Sequence, residues 1–265
     1  PLPWLGLGKT LPWQMQIQPR PNSREPSPAL FAAFQAPPDG LYGIVSTGDQ
    51  VQAAVDAGLS CVQLRYKQRE GLQSHLNLSI HAAAGSQLFV NDHWEATLAS
   101  LPSRRTPTPS GPITKIGLHL GQEDLQAMTP AQHDSLLAHR DQVMLGLSSH
   151  SLWELARAAG CGASLIACGP VQATTTKDMP WLPQGTDNLA WWIRHSPAPV
   201  VAIGGLLSPA DISRFAALKP AAVCVVRGLG QSPADMLAAV GPLQRAFAQA
   251  SSAGCLADRI AKSPG

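Results

Sequence analysis

Eight short apolar runs, each followed by a stretch with helical spacing, constrain this chain more than any other feature. They are LYGIV (41–45), CVQLR (61–65), QLFV (87–90), IGLHL (116–120), MLGLS (144–148), SLIACG (164–169), PVVAIG (199–204) and AAVCVV (221–226). Their near-continuous apolar character suits strands covered on both faces, as in a parallel sheet. Between them, DQVQAAVDAG, SLWELARAAG and SPADISRFAAL carry helical spacing. Ser208-Pro209 reads as an N-cap followed by proline in the first turn, and Gly58 and Gly160 fall where a helix end wants a left-handed residue. Eight such alternations predict an α/β fold of the (β/α)8 barrel type over residues 39–250. A doubly wound open sheet of six strands would leave two of the runs unused.

The flanks differ. Residues 1–38 are punctuated by proline without sustained periodicity, and are expected to be a Pro-rich extension or linker. They lack the basic start and continuous apolar run of a secretory signal. The first residue is Pro, compatible with trimming or with one half of a fused enzyme. Residues 100–112 (SLPSRRTPTPSGP) read as a surface insertion and 251–265 as a C-terminal tail.

Composition excludes several classes. Only 14% of residues are charged and 45% are hydrophobic, yet no run of about 18 uncharged apolar residues occurs, so no membrane-spanning helix is expected. A formal net charge of +2 without a Lys/Arg block gives no nucleic-acid surface. The 23 Gly and 24 Pro stay short of the roughly 25–30% that marks low complexity. Five cysteines without a C-x-x-C pair argue against a disulfide framework or a zinc site. Cys61, Cys161, Cys168 and Cys224 read as small core residues of a reducing, cytoplasmic compartment.

A barrel builds its site at the C-terminal strand ends. Those ends carry Gln63, Arg65 and Lys67; Asn91 and Asp92; His119 with Glu123 and Asp124; Ser148; a loop with Thr174, Thr175, Thr176 and Lys177; Gly204-Gly205; and Arg227-Gly228. Each string alone suits a solvated rim, a helix N-cap or a tight turn. Ser148 near His150 lacks the third member that a nucleophile needs. Together they read differently. Asp92 and Asp124 can hold a hard divalent cation such as Mg²⁺ with substrate oxygens. Arg65, Lys67 and Lys177 can clamp a diphosphate, while the glycines let backbone N–H groups approach a second phosphate. The expected partners are two phosphorylated small molecules, with a homo-oligomer also compatible.

In order, VQLRYK, FVND, GLHLGQEDL, LGLSSHS, GPVQATTTK, VAIGG and VCVVRG resemble the thiamine phosphate synthase family over roughly residues 41–230. The resemblance implies an Mg²⁺-dependent condensation of a hydroxymethylpyrimidine diphosphate with a hydroxyethylthiazole phosphate, or its carboxylated tautomer. Thiamine phosphate and pyrophosphate would be the products. It places Gln63, Arg65, Lys67, Asn91, Ser148 and Lys177 on the pyrimidine diphosphate, with Arg65, Lys67 and Lys177 catalytic. Asp92 and Asp124 match the metal ligands. Thr174, Thr175, Thr176, Gly205, Val226 and Arg227 match the thiazole-phosphate site. Arg227 stands where the family usually has Ser, Gln172-Ala173 replaces an aromatic or aliphatic residue and Pro, and the connection from Lys67 to Asn91 is short. The rivals are a thiazole tautomerase-like relative and a non-catalytic barrel that binds thiamine precursors.

Overall fold

The structure, a computed structural model, describes residues 31–101, 114–174 and 182–261. All eight apolar runs are strands: β1 Leu41–Val45, β2 Cys61–Leu64, β3 Gln87–Asn91, β4 Lys115–Leu120, β5 Met144–Ser149, β6 Leu165–Cys168, β7 Val200–Ala202 and β8 Ala222–Val225. Neighbours pair in parallel in chain order, and β8 returns to β1, so the sheet is a closed barrel. Around it run α1 Gly48–Asp56, α2 Leu72–Ala82, α3 Trp94–Ala99, α4 Gln122–Ala127, α5 Pro130–Ala138, α6 Leu152–Gly160, α7 Gly185–His195, α8 Pro209–Ala216 and α9 Pro233–Ala261. The expected tail begins inside α9, and of the expected insertion at 100–112 all but Ser100 and Leu101 lie outside the described residues. Among the described residues, no helix is long and apolar enough to cross a membrane.

Successive strand side chains point to opposite faces, which sorts the chain into two packed regions. Residues such as Leu41, Val45, Val62, Leu64, Leu118 and Leu147 pack outward against the helices. Tyr42, Ile44, Cys61, Phe89, Met144, Leu165, Val201 and Cys224 fill the interior. Phe89 spreads across β4, where a Cβ on Gly117 would sit 2.4 Å from its ring. Cys61, Cys168 and Cys224 are buried, as expected of core residues, while Cys161 is half-buried.

Several local expectations hold. Ser208 Oγ accepts from the Asp211 N–H with Pro209 in the first turn, and Gly58 follows α1 at φ +101°. Gly160 needs correction. It is the last residue of α6, Cys161 caps it, and the left-handed residue is Gly162 at φ +67°. The short Lys67–Asn91 connection still contains the eleven-residue α2, whose His75 Nδ1 accepts from the Gly48 N–H at 3.2 Å.

The expected extension divides. Residues 1–30 lie outside the described residues, whereas the chain from Phe31 is packed beneath the barrel. Phe31 and Phe34 are buried, and the Phe34 and Phe89 rings meet edge-on at 6.0 Å. Gln87 Nε2 donates to Gln35 O at 2.7 Å, and Ser164 Oγ donates to Ala32 O at 2.7 Å. Prolines prevent a helix or central strand here, but they do not prevent an extended segment from plugging a barrel's lower end.

Candidate active site

Strand parity decides which polar side chains face the upper interior. Gln63, Asn91, His119 and Ser148 share the inward parity of Cys61, Phe89, Gly117 and Gly146, so β2 to β5 supply polar groups. Ala167, Ile203, Cys224, Val226 and Ile44 make the opposite wall apolar. Between the walls lies a cavity of about 330 Å³. It brings together Gln63, Arg65, Lys67, Asn91, Asp92, Asp124, Ser148, Thr174, Gly205, Val226 and Arg227. The remaining expected members, Thr175, Thr176 and Lys177, lie outside the described residues.

The polar wall is ordered by hydrogen bonds. The Tyr42 hydroxyl donates to Gln63 Oε1 at 2.7 Å, and Gln63 Nε2 donates to Asn91 Oδ1 at 2.9 Å. His119 Nε2 lies 3.0 Å from Ser148 Oγ, while Gln122 Nε2 donates to Ser148 O at 2.7 Å. Arg157 in turn donates to Gln122 Oε1 at 2.9 Å. His150 Nδ1 lies 3.0 Å from Glu154 Oε2, and the imidazole against the Ser148 hydroxyl is that of His119. Sequence reading missed Tyr42 and the Ser148 role of His119. The signal was there in the alternation of β1 and β4, where both fall on the inward parity.

Charge gathers at the mouth. Asp92 follows β3 in the left-handed region at φ +66°, a conformation Asp tolerates better than most residues. Its carboxylate meets Lys67 Nζ at 3.2 Å, with the two side chains 36% and 57% exposed. Asp124 Oδ2 accepts from the Gly121 N–H at 2.7 Å, so it serves the first turn of α4 while also lining the cavity. Burial, with the Asp92 and Glu123 carboxylates added, pushes the Asp124 carboxyl above its ordinary value despite that bond. A half-buried carboxylate raised in this way, with acidic neighbours, suits a nearby cation. Among the described residues no group of three or more His, Cys, Asp or Glu could hold a metal by itself. A pair completed by substrate oxygens and water is the pattern Mg²⁺ takes. The donor set fits that ion.

Among the described residues, two cations stand unpaired. The Arg65 and Arg227 guanidinium groups make no hydrogen bond or ion pair among the described residues, and both line the cavity. Gly204 and Gly205 follow β7 at φ +101° and +80°. A Cβ on Gly205 would sit 2.6 Å from Gln172 Cβ, so the fold also requires this glycine. A Cβ on Gly228 would sit 2.8 Å from Leu207 O, which brings the loops after β7 and β8 into contact beside Arg227.

A family model described as thiamine monophosphate synthase matches residues 41–229. A thiamine-phosphate synthase of Neisseria meningitidis serogroup A is 38% identical over 171 residues, covering 63% of this chain and 75% of that protein. That of Serratia proteamaculans is 35% identical over 224 residues, covering 81% and 95%. Among solved structures, a thiamine phosphate pyrophosphorylase from Pyrococcus furiosus aligns with a TM-score of 0.60 at 20% identity, covering 79% of this chain and 96% of that one. A 4-hydroxy-2-oxoglutarate aldolase structure aligns at 0.55 and 16% identity over 80% of this chain and 96% of that one, a likeness of fold alone. The match across the whole barrel, on strands whose ends meet in one charged cavity, makes this chain an enzyme of the thiamine monophosphate synthase family.

Proposed function

We propose that the chain joins a hydroxymethylpyrimidine diphosphate to a hydroxyethylthiazole phosphate, releasing pyrophosphate, or to its carboxylated tautomer, releasing pyrophosphate and CO2. The observation that carries this reading is the meeting of Arg65, Lys67, Asp92 and Asp124 at one mouth of a cavity with an apolar far wall. Gln63, Asn91 and Ser148 hold the pyrimidine and its diphosphate on the polar side. The thiazole ring lies against Ile203, Val226 and Ala167, with its phosphate toward Gly205, Thr174 and Arg227.

The C–O bond to the diphosphate breaks first, leaving a pyrimidine-methyl cation that the ring amino group stabilises. The thiazole nitrogen then closes on that carbon. No side chain has to act as nucleophile or strong base. Arg65 and Lys67 stabilise the charge that develops on the departing diphosphate, and the cavity holds both rings in line. Mg²⁺, held by Asp92 and Asp124 when bound, would supply further positive charge to the leaving group. Lys177 and the hydroxyls of Thr175 and Thr176 are assigned to the same two anions from the loop sequence.

Pyrophosphate release from the two purified substrates, with and without Mg²⁺, tests the reading. Release that requires both substrates and Mg²⁺ supports it. Binding of either substrate without release would leave a non-catalytic binding barrel instead.

A further inference from the structure

Buried Tyr42, which the roles above leave unexplained, heads a chain of hydrogen bonds to Gln63 and Asn91 in the cavity wall. Tyr42 O–H donates to Gln63 Oε1 at 2.7 Å, and Gln63 Nε2 donates to Asn91 Oδ1 at 2.9 Å. Tyr42 is 2% exposed, Gln63 1% and Asn91 9%, so water cannot replace these bonds freely. A carboxamide has a donor end and an acceptor end, and its two orientations fill nearly the same space. Something must select one of them.

The phenol makes that selection. Burial, with smaller contributions from Cys61 and Cys224, holds its pKa well above the usual value, so it remains a proton donor. Its O–H takes the Gln63 carbonyl, which directs the Gln63 amino group to Asn91. The Asn91 carbonyl is then occupied, and its amino group is what remains. Among the described residues that group has no partner, and Asn91 lines the cavity with Arg65 and Lys67.

We infer that Tyr42 is a positioning residue whose hydroxyl sets the polarity of the Gln63 and Asn91 amides, so that Asn91 presents N–H donors to an anionic ligand. This rests on the reading of that side of the cavity as the pyrimidine-diphosphate site. Tyr42→Phe keeps the ring that packs 5.4 Å from Phe89 but leaves a buried carbonyl without its donor. Either amide can then reverse and turn an oxygen toward the anion.

The test is a kinetic comparison of wild type, Tyr42→Phe, Asn91→Ala and the double variant. In Tyr42→Phe, KM for the pyrimidine diphosphate should rise about tenfold, which is the loss of one buried hydrogen bond to a charged ligand. KM for the thiazole phosphate should stay unchanged. The effect should largely vanish in the Asn91→Ala background, because both substitutions remove the same donor. Gln63→Glu, which keeps Tyr42 but offers Asn91 no donor, should produce the same selective rise even if Tyr42→Phe folds poorly. Equal shifts in both KM values, or full additivity with Asn91→Ala, would mean that Tyr42 only supports the fold and would overturn the inference. A wild-type protein that turns over normally beside an unchanged Tyr42→Phe removes the inference alone. A wild-type protein that releases no pyrophosphate removes both it and the parent reading.

Discussion

His119 Nε2 lies 3.0 Å from Ser148 Oγ on the inward face of the paired strands β4 and β5, while His119 Nδ1 has no partner among the described residues. The ring has room only because β5 carries glycine beside it, since a Cβ on Gly146 would sit 2.8 Å from Nδ1. A ring so enclosed stays neutral. Burial pushes its pKa down to about 4, opposed by Asp92 and assisted by Arg65. Neutral His119 can donate to Ser148, which frees the Ser148 hydroxyl proton for a ligand in the cavity.

This gives a pH dependence with a definite sign. Below about pH 6.5 an unfolded chain protonates this histidine while the folded one refuses the proton. Stability should therefore fall as pH drops from about 6.5 to about 4, then level off for this group, with a contribution of at most about 3 kcal/mol. Urea midpoints across that range should show a steeper loss in wild type than in His119→Gln. Parallel slopes would rule out His119 as the source.

Lys67 and Asp92 form an ion pair that is largely open to water. Such pairs contribute about 0–1 kcal/mol, so Lys67→Met should change unfolding free energy by no more than that. If Lys67 stabilises the departing diphosphate, kcat/KM should nevertheless fall by about 10² or more. Thermal melts and steady-state rates on one preparation would separate the two effects. A large stability loss with normal turnover would contradict the assignment.

Beside the loops that follow β7 and β8, the Arg227 guanidinium has no partner among the described residues. Arg227→Ser should raise KM for the thiazole phosphate roughly tenfold, the effect of one charge-assisted hydrogen bond, and leave KM for the pyrimidine diphosphate in place. The thiazole KM should also become less sensitive to added salt. Initial-rate measurements at two ionic strengths check both points.

Phe34 joins the interior cluster with Tyr42 and Phe89, although it lies in a segment whose prolines suggest a linker. Phe34→Ala should cost about 3 kcal/mol or more by opening a cavity under the barrel. Denaturant unfolding measures this directly. A change below about 0.5 kcal/mol, the scale of an ordinary surface substitution, would show that the segment is dispensable.

The strands were legible because a parallel barrel buries both faces, and each run from LYGIV to AAVCVV is correspondingly continuous. The gathering of Asp92, Asp124, Arg65 and Arg227 was legible for a related reason: in a barrel, every residue after a strand arrives at the same rim. Pairings inside the barrel were not. Tyr42 and Gln63 are 21 positions apart, and Tyr42 looks like any core aromatic until its register beside β2 is known. Gly160 attracted the helix-end reading because glycine favours that place, yet the helix keeps it and turns at Gly162. Phe34 was hidden by proline composition, which reports what a segment cannot form rather than what it can cover.

Phe34, Tyr42 and Phe89 stack under the chamber with almost no surface left open. Among the described residues this seals the lower end, so molecules come and go through one doorway. On the proposed reading, both substrates and the released pyrophosphate would share that route past Lys67 and Asp92.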